Sequence, residues 1–213
     1  MKKLGGLIIG VLCASGMLMG TSYASEEQYD VTITNLTRSE VFTPIMVATH
    51  KRSKNMLMLG SEASDVLAAM AEGGDTSGLS DFLKPHDTVS SGALLEPGKS
   101  VTVRVTAMEK SRISVAAMLI PTNDAFFAVN GMKLPKHSMT IMSPAYDAGS
   151  EPNDELCANM PGPVGGGEGG SPGAGGEGYV HIHAGIHGIG DLAAADFDWR
   201  NPVAKITIRR VKN

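Results

Sequence analysis

Cysteine is nearly missing from this chain: two occur in 213 residues, Cys13 and Cys157. Cys13 sits in an apolar N-terminal run, so one thiol remains beyond it and an intrachain disulfide framework is excluded. Stability must then come from packing and from bound metal. Beyond the first two dozen residues the sequence also lacks an apolar run near the ~20 residues that span a bilayer. No nucleophile elbow, Gly-rich phosphate loop or catalytic Cys/His pattern is present, so the reading is non-enzymatic. Positive charge is not in excess either. The formal charge is −4, which disfavours nucleic acid or an anionic membrane as a partner drawn by bulk charge.

Residues 1–24 read as a secretory signal peptide. Lys2 and Lys3 form the charged start, Leu4 to Met19 the apolar run, and Ser22-Tyr23-Ala24 a small-x-small cleavage site. Leu12 ahead of Cys13 is bulky where a lipoprotein signal has a small residue, which disfavours lipidation. Cleavage places the mature start at Ser25 and takes the formal charge from −4 to −6 with the loss of Lys2 and Lys3. The expected protein is therefore exported, periplasmic or secreted, with no membrane insertion once the signal is removed. Residues 25–213 suffice for one domain. Cys157, alone after cleavage, is read as inert.

Strand signals dominate the rest. Tyr29 to Leu36 alternates β-branched and polar residues with a period of two. Phe42–Thr49, Val101–Met108, Ile113–Leu119, Phe126–Val129, Tyr179–Ile182 and Val203–Val211 repeat the pattern between Gly, Pro, Asn and Ser clusters, which predicts an all-β antiparallel sandwich. One short helix is expected over Ser61 to Ala71, stopped by Gly73-Gly74. Met56, Met58 and Met70 read as core filler rather than a copper cluster. Residues 161–178 are almost all glycine, proline and small side chains, and predict a flexible internal loop.

Two acidic segments carry the chemistry. Pro121 to Phe127 contains Asp124, and Tyr146 to Asp154 contains Asp147, Glu151 and Asp154 around Gly149. Ca²⁺ takes six to eight oxygen ligands, which loops rich in carboxylates can supply. The same residue types also build plain surface turns. A second cluster lies in Tyr179 to His187, where His181, His183 and His187 are candidate Zn²⁺ or Cu²⁺ ligands. A metallohydrolase pairing them with Asp191, Asp196 or Asp198 is an alternative, as is an exported structural domain with no ligand.

Asp124-Ala125-Phe126-Phe127-Ala128-Val129 is similar to the Asp-Trp-Phe-Val-Gly-Val of the spondin-N domain family, and Tyr146-Asp147-Ala148-Gly149 repeats that family's Tyr-Asp-Ala-Gly. Thr43 to His50 and the closing strand Val203 to Val211 support the likeness. The chain thus resembles the domain that opens F-spondin and mindin and that occurs alone in secreted bacterial proteins, where a similar Gly-Tyr-Val-His-Ile-His stretch is found. The resemblance implies an eight-stranded, C2-like antiparallel β-sandwich. It also implies one Ca²⁺ held by Asp124, Asp147 and Glu151, with Glu standing where the animal proteins have Asp; Asp154 is the other candidate for the third acid. An adhesion or recognition role follows from the same source, with a cell-surface or matrix protein or glycan as partner. The thrombospondin-type repeats of the animal proteins are missing from this sequence.

Overall fold

The computed structural model describes residues 26–170 and 175–212. The expected signal peptide, residues 1–24, and Cys13 lie outside the described residues. The fold is an antiparallel β-sandwich. One sheet has four strands in the order β5 (Ser100–Ala107), β1 (Glu27–Asn35), β11 (Ala204–Arg210) and β8 (Ser138–Ser143). The other runs β10 (His181–Ile182), β9 (Ala145–Asp147), β7 (Ala125–Lys133), β6 (Arg112–Ile120), β3 (Met46–His50) and β4 (Asp87–Ser90), with β2 (Val41–Phe42) added on β6. Eleven strands are thus found among the described residues, where the family likeness implies eight. The expected strand 42–49 is broken into β2 and β3 by the bend around Pro44. β8 mixes methionine with hydroxyl residues, and β4 and β9 are only four and three residues long, too short for a period of two to show.

The two sheets differ in what covers them. β1 shows a half-buried alternation: Tyr29, Val31 and Ile33 point into the core, while Thr32 and Thr34 stay outside and meet Thr102 and Ser100 across the β1–β5 pair at 2.7 and 2.8 Å. β6 has no such alternation, because every residue from Ile113 to Ile120 is buried. Its inward side chains, Ile113, Val115, Ala117 and Leu119, join the inter-sheet core with Ile206 and Ile208 of β11. Ala116 faces outward, into a second apolar cluster with Phe126, Met46, Leu67, Met70 and Leu79.

Helices build that second layer. α1 (Asp65–Gly73) buries Leu67, Met70 and Ala71 at the spacing of one helix face. It ends on Gly74 at φ 73°, with Gly74 N–H donating to Met70 O, the 5→1 bond of an αL stop. α2 (Ser77–Leu83) follows and adds Leu79 and Leu83. The single expected helix is therefore joined by α2 and by two one-turn helices, α3 (Gly162–Gly165) and α4 (Ala194–Phe197). Met56 and Met70 are core residues and Met58 is exposed, so the three methionines form no common surface. α3 and the Gly167 N–H bond to Met160 O give local order to the described part of the glycine-rich segment.

Phe42 and Phe127 meet in the inter-sheet core with ring centroids 4.6 Å apart. Glu40, just before β2, is buried with no hydrogen-bond donor on either carboxylate oxygen, and burial pushes its carboxyl up to about 7. The folded state therefore holds a proton that the unfolded chain releases near 4.5, so stability falls as pH rises through that window.

Phe127→Ala is expected to cost about 3–5 kcal/mol, read from the urea midpoint. In a second measurement, the stability difference between Glu40→Gln and wild type should grow in favour of the variant from pH about 4.5 to about 7 and then level off; a flat difference would show that Glu40 is ionised in the folded state.

Candidate metal centre

Strand register brings the acids together. Asp124 ends the β6–β7 turn, and Ala125 next to it pairs with Asp147 at the end of β9. The chain after β9 folds back, so that the Ser150 and Glu151 N–H groups donate to Asp124 Oδ2 at 2.8 and 3.2 Å. The Gly149 N–H donates to Asp147 Oδ1 at 2.7 Å, closing an Asx-type turn. Gly149 sits at φ 66°, and a Cβ there would lie 2.4 Å from Tyr179 O. Only glycine lets the 175–181 segment lie against this turn, where the Gly178 N–H donates to Gly149 O at 2.8 Å.

That contact delivers two further ligand-type residues. β10 pairs His181 with Asp147, and donor atoms of Asp147, Glu177 and His181 lie within 4.8 Å of one another. Among the described residues they form the one such group of three, so the sequence-expected Asp147 is in it while Asp124 and Glu151 are not. Both of the latter are buried beside it, Asp124 on the β6–β7 turn and Glu151 on the fold-back after β9. Glu177 was hidden by its glycine-rich surroundings, and its one sequence signal is an acid placed four residues before His181.

Asn153 ties the cluster. Its Nδ2 donates to Asp147 Oδ2 at 2.7 Å and to Glu177 Oε1 at 3.2 Å. Its Oδ1 accepts from His183 Nε2 at 3.0 Å. The Gly185 N–H donates to His183 Nδ1 at 2.9 Å, which puts the ring proton on Nε2. Both nitrogens of His183 are thus engaged, and the ring packs at a 42° tilt against Trp199 with centroids 5.0 Å apart. Burial holds this imidazole below its usual value against the pull of the Asp147 charge, so it is neutral. The trio His181, His183 and His187 therefore does not present three free nitrogens, and His187 is exposed.

Asp124 carries the strain of the site. Burial pushes its carboxyl up to about 8, the nearby Asp147 adds to the rise, and the Glu151 and Ser150 N–H groups offset it only in part. Oδ1 is buried and has no hydrogen-bond donor. Asp154 differs: burial works to raise it, but the Leu156 N–H and the Asn123 and Asn159 amides hold it below the usual range, with bonds of 3.0, 3.0 and 2.6 Å. Asp154 is thus engaged in its own turn and is not in the group of three.

Neighbouring acids are anchors. Glu155 accepts the N–H groups of His187, Gly188 and Ile189 at 2.5, 2.7 and 2.9 Å, pinning that loop. Asp191 accepts the Cys157 N–H at 2.8 Å, Asp198 pairs with Arg200, and exposed Asp196 lies 3.7 Å from Arg38. A cavity of about 370 Å³ borders His183, His187 and Asp198, but His183 has no lone pair left for a general base there. The Cys157 thiol is half-buried and free.

No protein-family model matches the chain, and no curated protein matches it significantly.

Gly149→Ala should lower stability by more than the roughly 1–2 kcal/mol of a left-handed alanine, because the new methyl displaces the Tyr179 backbone. Faster amide exchange at Gly178 and Val180 would report the displacement; unchanged exchange would show that the turn absorbs the methyl.

Proposed function

We propose that the chain is an exported, spondin-N-like β-sandwich that binds calcium at one end and acts there as an adhesion or recognition module. The observation that carries the reading is the buried Asp124 Oδ1, left without a donor beside Asp147. A buried carboxylate oxygen with no partner is costly, and a divalent cation relieves that cost together with the repulsion between the two acids. The donor types suit a hard cation: Asp147 and Glu177 offer carboxylate oxygens within 4.8 Å of each other, and Asp124 and Glu151 adjoin that pair. In this reading Glu177 takes the part of third carboxylate that the family likeness gives to Glu151. Bound ion would also fix the 175–181 segment on the 147–151 turn, ordering the surface that a matrix or cell-surface protein or glycan would touch.

His181 favours a second reading. An imidazole within 4.8 Å of two carboxylates is a donor set for Zn²⁺ or a similar transition metal.

Thermal unfolding with chelator, then with Ca²⁺, Mg²⁺ or Zn²⁺, separates the two. A ligand bound only to the folded state adds about 2.7 kcal/mol at a hundredfold excess over its Kd. Calcium is expected to raise the midpoint of the wild type and not of Asp124→Asn, while the ion-free variant should be at least as stable as the ion-free wild type near pH 8. A zinc-only response lost in His181→Ala would favour the second reading, and no response to any ion would overturn both. Beads coated with the protein should adhere to matrix or cell surfaces in calcium and release in chelator.

A further inference from the structure

The far end of the second sheet carries the opposite charge. Lys51, Arg52, Lys84, Lys110, Arg112 and Lys133 line one groove of about 790 Å³, and the single carboxylate on it is Glu109. A third of the chain's 18 lysines and arginines thus converge there, in a protein whose net charge is −4. Glu109 lies 3.8 Å from its own neighbour Lys110. Among the described residues Lys51, Arg52, Lys84, Arg112 and Lys133 enter no ion pair.

The arrangement is a row. Lys133 ends β7 and stands directly opposite Arg112 at the start of β6. Arg112 in turn pairs with His50 at the end of β3, which runs on into Lys51 and Arg52. The His86 N–H donates to Thr49 O at 2.6 Å, which brings Lys84 and Pro85 to the next place in the row. Four neighbouring strand ends at about 4.8 Å spacing cover some 14 Å, too wide for one small anion. Like charges directly opposite on antiparallel strands are destabilising, and Arg112 facing Lys133 has no acid to relieve it.

We infer that this groove binds a linear polyanionic polysaccharide bearing sulfate or phosphate groups, laid across the strand ends. The groove has no Phe, Tyr or Trp on which bases could stack, which argues against single-stranded nucleic acid. Its apolar side chains are Pro85 and Met108 alone, too little to enter a bilayer. The site is independent of the acidic cluster, because β6 and β7 carry the cations at one end and the Asp124 turn at the other.

The test is fluorescence anisotropy of labelled dextran sulfate with the purified protein in chelator, so that failure of the calcium reading does not touch it. Binding should weaken with salt and be absent with neutral dextran. Arg52→Glu with Lys84→Glu should weaken it at least tenfold, and the salt slope should fall by about one for each contact removed. Lys133→Gln should weaken binding without lowering the thermal midpoint at low salt, since it relieves the repulsion with Arg112. Lys136→Gln with Lys212→Gln, in a different basic groove, should leave binding unchanged. The inference is overturned by no binding, by an equal loss in the Lys136/Lys212 variant, or by tighter binding to phosphatidylglycerol vesicles or oligothymidylate.

Discussion

Burial of the second sheet on both faces is the constraint on which the rest of this structure depends. β6 is buried from Ile113 to Ile120, and apolar there except for Ser114, because one side meets the opposing sheet and the other meets α1 and α2. Such a layer admits a polar side chain along the strands only with a buried partner, as Ser114 has in His50 and the Gly131 N–H. Polar chemistry is displaced to the strand ends. The turn end of the β6–β7 hairpin gathers acids, and the open end gathers cations, about 27 Å away for a nine-residue strand.

The acidic end is held by backbone contacts more than by side-chain packing. Gly149 admits the Tyr179 backbone, Asn153 bridges two carboxylates, and Glu155 collects three successive N–H groups of the following loop. These links let a segment almost devoid of apolar side chains lie in a defined place. They also leave Asp124 desolvated beside Asp147, an arrangement whose cost a proton can meet below about pH 8. A cation bound at the same acids would compete with that proton, so ion affinity and pH would be linked through one carboxyl.

Strand periodicity made the sandwich legible, since Val31, Ile33, Ile206 and Ile208 alternate with polar residues and all four are core. β8 was hidden because Ser138 to Ser143 mixes methionine with hydroxyl residues, and α2 because its glycine and serines resemble a linker. At the candidate centre, Asp124 and Asp147 stood out as acids in turn-forming segments. Glu177 and Asn153 did not, because their roles depend on a segment some thirty residues away folding back onto the 147–151 turn. His183 shows the converse: its spacing suggested a ligand, and its two ring nitrogens are spent on Gly185 and Asn153.

The sequence by itself determined the antiparallel sandwich, the helix around α1 and the acidic turn, because each is written in the spacing of neighbouring residues and in local backbone preference. Only the tertiary structure decided which donors share a site and which charges share a groove. Lys51, Arg52, Lys84, Lys110, Arg112 and Lys133 come from separate stretches spread over more than eighty residues; strand order brings them to one edge. The physical reason is the same in both cases. Hydrogen bonding between strands distant in sequence sets the neighbours, and no local pattern of residues encodes that register.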